Sequence, residues 1–86
     1  MANHPSAAKR NRQRLVRTAR NRSIRSSVRT VVKQARAAIA AGEAQAPERV
    51  RTAISALAAA ASKGVLHKKS ASRTTARIQA ALAKLS

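Results

Sequence analysis

The chain has 86 residues, and its nineteen lysine and arginine residues against two acidic residues give a formal net charge of +17 at pH 7. Such a chain repels itself strongly, so its composition favours a polyanionic partner, with nucleic acid as the leading candidate. Cysteine and aromatic residues are absent, which excludes disulfides, thiolate metal sites and the aromatic platforms on which single strands stack. What remains is binding to the backbone and shape of folded RNA or of a duplex.

Proline and glycine divide the chain at Pro5, Gly42, Pro47 and Gly64 into three segments of helical composition. The links between the segments are short, which predicts antiparallel neighbours. The predicted fold class is therefore all-α: a single domain over residues 1–86, built as a three-helix bundle with a long, protruding basic first helix. Large aliphatic side chains are scarce and alanine is common, so we expect a small, thin core and a marginally stable free protein.

The first segment predicts a helix over residues 6–41, with Ser6 as its N-cap and Gly42 as its C-cap. Its second half carries an apolar stripe at helical spacing, and the stripe consists of Ile24, Val28, Val31, Val32, Ala35, Ala38 and Ile39. The same face continues toward the N-terminus through Arg10, Gln13, Arg14, Arg17, Arg20 and Asn21. Burying these side chains in a protein core would be costly. Residues 6–21, called the arm below, are therefore predicted to leave the bundle and to bind RNA.

The second and third segments predict helices over residues 47–62 and 67–84. The second has an apolar stripe at i, i+3, i+4 and i+7 spacing, made of Val50, Ala53, Ile54, Leu57, Ala58 and Ala61. The stripe of the third consists of Ala71, Thr75, Ile78, Leu82 and Leu85, with Ala81 beside it. Val65 and Leu66, between the two helices, are expected to form a hydrophobic plug.

The residues needed for catalysis or metal binding are almost missing. Glu43 and Glu48 are the only carboxylate side chains, and we expect them in a turn and in the first turn of a helix. His4 and His67 have no cysteine or aspartate partners at metal spacing. No glycine-rich phosphate loop is present. The sequence therefore predicts no enzyme activity, no metal, no cofactor and no small-molecule substrate.

Phosphate binding is the chemistry that the sequence supports. Eleven of the nineteen cationic residues lie between Lys9 and Arg36, and most of them are arginine. The planar guanidinium group of arginine can bind a phosphate with two hydrogen bonds. A second basic cluster spans the predicted entry to the third helix. For His67 within it, a structural role at the helix start and a contact with phosphate or base are equally good interpretations.

Three motifs resemble the bacterial small-subunit ribosomal protein S-twenty family. Residues 2–10 resemble its opening A-N-x-x-S-A-x-K-R, and residues 20–30 resemble its central R-N-x-x-x-x-S-x-V-R-T. Residues 60–69, AASKGVLHKK, are similar to its A-x-S-K-G-V-I-H-K-N signature and are the most specific of the three. The chain departs from the family in its alanine-rich residues 35–41, in lacking the usual aromatic, and at Thr74 and Thr75, where lysine is frequent.

The resemblance implies a helical bundle with an extended first helix that binds 16S ribosomal RNA directly in the body of the small subunit, early in assembly. Matching positions imply these RNA contacts: Lys9, Arg10, Arg14, Arg17, Arg20, Asn21, Arg22, Arg25, Ser26, Arg29, Lys63, His67, Lys68 and Lys69. Arg12, Lys33 and Arg73 complete the candidate site because they lie in the same basic stretches.

The expected partner is 16S ribosomal RNA within the small subunit, and the expected location is the cytoplasmic ribosome. A DNA-compacting, histone-like protein is the alternative, since it shares the basic, alanine-rich helical composition. A membrane-active helix fits the charge but would use Trp or Phe at the interface, and the longest apolar run, residues 56–61, is far too short to span a bilayer. We expect no membrane association and no homo-oligomer.

Overall fold

The computed structural model describes residues 5–85, which form three helices without a strand: α1 (Pro5–Ala41), α2 (Ala46–Ser62) and α3 (Lys68–Ala83). The predicted all-α fold with a long first helix is confirmed. α1 and α2 each begin one residue before the predicted start, so Ser6 lies inside α1 and is not its N-cap. α3 begins one residue later than predicted and ends at Ala83. Ala2, Asn3 and His4 lie outside the described residues.

Glycine ends α1 and α2 in the same way. Gly42 and Gly64 have φ values of +65° and +76°, a left-handed conformation that costs glycine little. After α1, the backbone N–H of Glu43 donates to the carbonyl oxygen of Ala38 at 3.0 Å and that of Gly42 to Ile39 at 3.1 Å. This pair of bonds is the Schellman motif, and it repeats after α2 around Gly64. The predicted C-cap of α1 is therefore confirmed.

The helices pack around α2. It lies along both α1 and α3, whereas α1 and α3 touch each other only over a short length. One hydrogen bond joins the exposed sides of α1 and α2, because the Arg49 Nη1 donates to the Gln34 Oε1 at 3.3 Å. The two helices run antiparallel and rise equally per residue, so this pairing places the end of α2 within about one helical turn of Asn21.

The core is thin and entirely apolar among the described residues, since none of the buried residues there is polar or charged. Six of its thirteen members are alanine, and Ile78 is its largest fully buried side chain. The full set is Val28, Val32, Ala35, Ala38, Ile39, Ala46, Val50, Ala53, Leu57, Ala60, Val65, Ala71 and Ile78. Ile24, Val31, Leu66 and Leu82 are partly buried against it.

Two predicted core positions are wrong. Ala58 is exposed, and Ala60 is buried in its place. The buried residues of α2 follow an alternating spacing of four and three, which is the narrow seam of coiled-coil packing, and Ala58 falls outside that seam. Leu85 follows the end of α3 and is 48% exposed, because it lines an open depression beside Ala46 and Pro47 and is not packed into the core.

The arm extends well beyond the bundle. The molecule measures 63 × 20 × 14 Å and has a radius of gyration of 17.5 Å, whereas a compact chain of this length would have about 12 Å. The 37 residues of α1 make a rod of about 55 Å, more than twice the length of α2. No helix in the described part of the chain is long and apolar enough to cross a membrane.

Candidate nucleic-acid interface

A single face of α1 carries two different chemistries. Steps of four and three residues lead back from Ala35 through Val31, Val28 and Ile24 to Asn21 and then to arginine. The positions from Ile24 onward are buried or partly buried, Asn21 is half-buried, and residues 6–20 are all exposed. The change falls near the end of α2, which lies within about one helical turn of Asn21. The fully exposed part of α1 covers residues 6–20, and residue 21, the predicted end of the arm, lies at its boundary.

Residues 7–20 of the arm are exposed, so their side chains are accessible to a partner around the helix. One shallow, open depression on this helix is lined by Lys9, Arg12, Gln13, Val16, Arg17 and Arg20. Four of these six are cationic, and Gln13 adds an amide that can both donate and accept hydrogen bonds. A phosphate group placed here would meet several donors from one helix face.

A second row of candidate residues follows α1 along the outside of the bundle. It consists of Arg22, Arg25, Ser26, Arg29 and Lys33, and all five are exposed. They point away from the apolar stripe of the same helix, so the row continues the arm's positive surface over the packed half of α1. The hydroxyl of Thr30 donates to the backbone carbonyl oxygen of Ser26 at 3.0 Å.

The second basic cluster lies at the turn between α2 and α3. Its predicted members, Lys63, His67, Lys68, Lys69 and Arg73, are all exposed. Lys68, Lys69 and Arg73 line one open depression together with Ser72. Because α2 ends near Asn21, this cluster lies at the root of the arm and adjoins its positive surface. The chain thus brings residues about 45 positions apart in sequence to one end of the bundle.

His67 has a structural role that the sequence left open. Its backbone is extended, and its Nδ1 accepts a hydrogen bond from the backbone N–H of Lys69 at 3.1 Å. His67 is therefore the N-cap of α3, satisfying one of the N–H groups that every helix start leaves unpaired. An accepting Nδ1 carries no proton, so the ring proton is on Nε2, which remains a donor for a ligand. The structural and the binding interpretations are thus compatible.

Both acidic side chains lie far from this surface. Glu43 is in the turn after α1, and Glu48 is in the first turn of α2, at the end of the bundle opposite the arm. With two carboxylate side chains for nineteen cations, at least seventeen positive charges cannot be paired within the chain. Within residues 5–85 there is no group of three histidine, cysteine or acidic residues that could hold a metal ion.

Known proteins resemble the chain along almost all of its length. The sequence model of the family described as Ribosomal protein S20 matches residues 2–83. The chain belongs to this ribosomal protein family. Relatives named small ribosomal subunit protein bS20 occur in Sorangium cellulosum, Desulfotalea psychrophila and Geotalea daltonii. The Sorangium relative is 54% identical over 100% of the chain and 92% of its own length. The Desulfotalea relative is 51% identical over 91% of the chain and 89% of its own length. The Geotalea relative is 49% identical over 91% of the chain and 91% of its own length.

The family membership confirms the resemblance drawn from the three sequence motifs, whereas the individual contact residues of this S20 protein stay predictions. The structure adds Gln13, Val16 and Ser72 to the surfaces that the predicted residues form. A signal for two of them was available. Val16 lies four residues from both Arg12 and Arg20, and Ser72 lies four residues after Lys68, so each shares a helix face with cationic residues.

Proposed function

We propose that this S20 protein is a structural constituent of the small ribosomal subunit that binds 16S ribosomal RNA directly. Its arginine and lysine side chains contact phosphates, and the protein stabilises the RNA fold early in assembly. It acts in the cytoplasmic ribosome without catalysing a reaction. The names of its relatives support the association with the small subunit, since each is called a small ribosomal subunit protein.

The observation that carries the proposal is the change of chemistry along one face of α1. This face is apolar where α2 covers it and arginine-rich beyond the end of α2. It therefore has two partners, and the first is the protein core. The other must be polyanionic, because desolvating several arginine side chains is favourable only when each meets an acceptor, best a charged one. Among the macromolecules of the small subunit, RNA offers the required density of phosphates.

The second basic cluster supports binding at two points. It lies at the root of the arm, so an RNA segment running along the arm would meet Lys63, Lys68 and Lys69 as it reaches the bundle. His67 holds the start of α3 by its cap, which fixes the direction in which Lys68 and Lys69 leave the backbone. Such a rigid, charged corner orients the protein on the RNA, whereas the arm supplies most of the electrostatic attraction.

A DNA-compacting role is the alternative that the charge permits. The family match and the motif at residues 60–69 favour RNA, since generic compaction of DNA requires only the charge. The two functions are separated by sedimentation: the native protein is expected with small subunits, and its presence with the nucleoid would favour the alternative. In vitro, excess duplex DNA should compete poorly for the complex with 16S RNA.

The main test is a filter-binding titration of the full chain with a 16S RNA transcript over a range of salt concentrations. About eight to ten phosphate contacts predict a slope of roughly −6 to −8 for the logarithm of the binding constant against the logarithm of salt concentration. A slope shallower than about −3 would show that the arm is not the main anchor. Binding to the bare transcript, without other ribosomal proteins, is also what an early role in assembly requires.

A further inference from the structure

The arm carries two large apolar side chains that phosphate binding does not explain. Leu15 and Val16 are 61% and 70% exposed, more than any other large hydrophobic residue among those described. They are the only leucine, isoleucine, valine or methionine residues between Ser6 and Ser23. Single exposed aliphatic side chains are normal on protein surfaces, but here a leucine and a valine are adjacent in an arm that otherwise consists of cationic, polar and alanine residues.

Helix formation alone does not account for them either. Alanine is the best helix former, and valine is among the poorer ones. This chain uses alanine freely, including at the exposed arm positions Ala7, Ala8 and Ala19. A valine at position 16 therefore makes the isolated arm helix less stable than alanine would. Helix formation therefore does not explain Val16, whereas an apolar contact with something that the arm binds would explain both exposed side chains.

The surroundings of these side chains restrict what that occupant is. Val16 lies in the depression lined by Lys9, Arg12, Arg17 and Arg20. Leu15 lies next to Val16, about 100° around the helix. The occupant therefore brings negative charge to the rim of the depression and an apolar surface to its centre. A protein partner would need to supply several carboxylates around an apolar patch. RNA supplies the charge with every nucleotide, and an unstacked base supplies the apolar surface.

We propose that Val16 packs against the face of an unpaired, unstacked nucleobase of the RNA that the arm binds, with Leu15 against the adjoining nucleotide. This inference rests on the proposed function, and it specifies the RNA feature that the arm reads. In a continuous A-form duplex the base faces are covered by stacking, and the surface consists of phosphates, hydroxyl groups and base edges. Only a bulge, loop or distorted step exposes a base face, and aliphatic side chains are known wedges at such steps in nucleic acids.

The test compares the double variant Leu15→Ala/Val16→Ala with the unchanged chain, using the 16S RNA transcript as the probe. Both substitutions raise helix propensity, so a weaker complex cannot be due to a less stable arm. We expect about tenfold weaker binding, from the apolar area that no longer leaves water, and an unchanged salt slope. Chemical probing should show unpaired bases that the unchanged chain protects and the double variant leaves reactive.

Two matched controls define the outcome. Arg17→Gln should lower the magnitude of the salt slope by about 0.7–0.9, the effect of one phosphate contact, and leave the base protection in place. Leu85→Ala removes a comparably exposed leucine from the far end of the bundle. It should change neither the salt slope nor the protection of bases. Conservative replacement by Leu15→Met/Val16→Ile should restore most of the affinity.

Three results would overturn the inference. One is equal affinity of the double variant and the unchanged chain for the transcript. Another is a fall in salt slope like that of Arg17→Gln, which would mean that the loss acts through phosphate contacts. The third is normal binding to the bare transcript with a defect only in complete small subunits, since a protein would then cover the patch. Failure of the unchanged chain to bind the transcript would instead overturn the proposed function, and this inference with it.

Discussion

The two halves of α1 share one helix and one register, yet they are stabilised by different means. In the half from Ile24 onward, every position facing α2 is apolar and at least partly buried. In the arm, the equivalent positions are arginine or short polar residues and are exposed. The same backbone geometry thus forms one side of a protein core in one half and an exposed, cationic rod in the other. The side chains on the facing positions determine which it is.

The largest expected change in the free energy of unfolding comes from placing an arginine in the packed half of α1, with the reverse substitution in the arm as its counterpart. Val28→Arg places a charge in the apolar seam, 7% exposed, and should destabilise the bundle by more than about 3 kcal/mol. Because small domains have little stability in reserve, we expect the variant to be largely unfolded. Arg17→Val, at an exposed position on the same face, should leave the free energy of unfolding unchanged within about 0.5 kcal/mol. Urea denaturation followed by circular dichroism measures both.

A loss of more than about 1 kcal/mol for Arg17→Val would contradict the division of the helix. It would mean that the Arg17 side chain stabilises the free bundle, which the assignment of this residue to RNA binding does not predict. Ile24→Ala, just inside the bundle, is the intermediate case, with an expected loss of about 1–4 kcal/mol from the burial it gives up.

Neutralising the arm should affect binding and spare the bundle. The triple variant Arg14→Gln/Arg17→Gln/Arg20→Gln removes three charges, which should reduce the magnitude of the salt slope by about 2–3. The free protein should be equally stable or slightly more so, because repulsion between like charges falls. A matched triple substitution by glutamine at Arg51, Arg77 and Lys84, which are exposed and lie outside the predicted contacts, should leave most of the slope intact. Equal effects from the two triples would indicate nonspecific attraction by net charge.

The cap of α3 offers a smaller and more local test. His67→Ala removes the acceptor for the Lys69 N–H and should cost about 1 kcal/mol of stability. His67→Asn keeps a side-chain acceptor at the N-cap and should retain most of that stability. Thermal unfolding distinguishes the two variants, and RNA affinity measured alongside shows whether a rigid start of α3 aids binding. Equal destabilisation by alanine and asparagine would rule out a stabilising cap.

The smallest expected free-energy differences are those between the helical and the disordered arm in the free protein. The arm is helical in this structure, which we take as its conformation on RNA. We expect the arm to be largely disordered in the free protein and to become helical on RNA, so that ordering and binding are coupled. Like charges three residues apart, as in Arg14, Arg17 and Arg20, oppose the helix by a few tenths of a kcal/mol per pair, and a helix of about 15 residues without tertiary packing is marginal in water.

Amide hydrogen exchange on the free and RNA-bound protein measures this difference between the halves of α1. Residues 24–39 should be protected in both states, because they pack against α2. Residues 10–20 should exchange fast in the free protein and slowly in the complex. Slow exchange of residues 10–20 in the free monomer would show that the arm helix is already formed, and would contradict coupled folding.

Much of this protein follows from its sequence alone. The charge predicts a polyanionic partner, because two acidic residues cannot neutralise nineteen cations. The helical spacing of Val28, Val32, Ala35 and Ile39 specifies the packed half of α1, and the arginines on the same face specify where packing ends. Gly42 and Gly64 specify two helix ends, since only glycine readily adopts the positive φ of the Schellman motif.

The tertiary structure decided what an alanine-rich sequence leaves undetermined. Alanine residues differ little in the area they bury, so the run from residues 58–61 could not reveal that Ala60 faces the core and Ala58 faces solvent. His67 becomes a cap only because the backbone around it is extended. The position of the second basic cluster beside the arm depends on the register of α2 against α1. Sequence spacing describes one helix at a time, whereas packing between helices decides which faces meet and where the charged surfaces join.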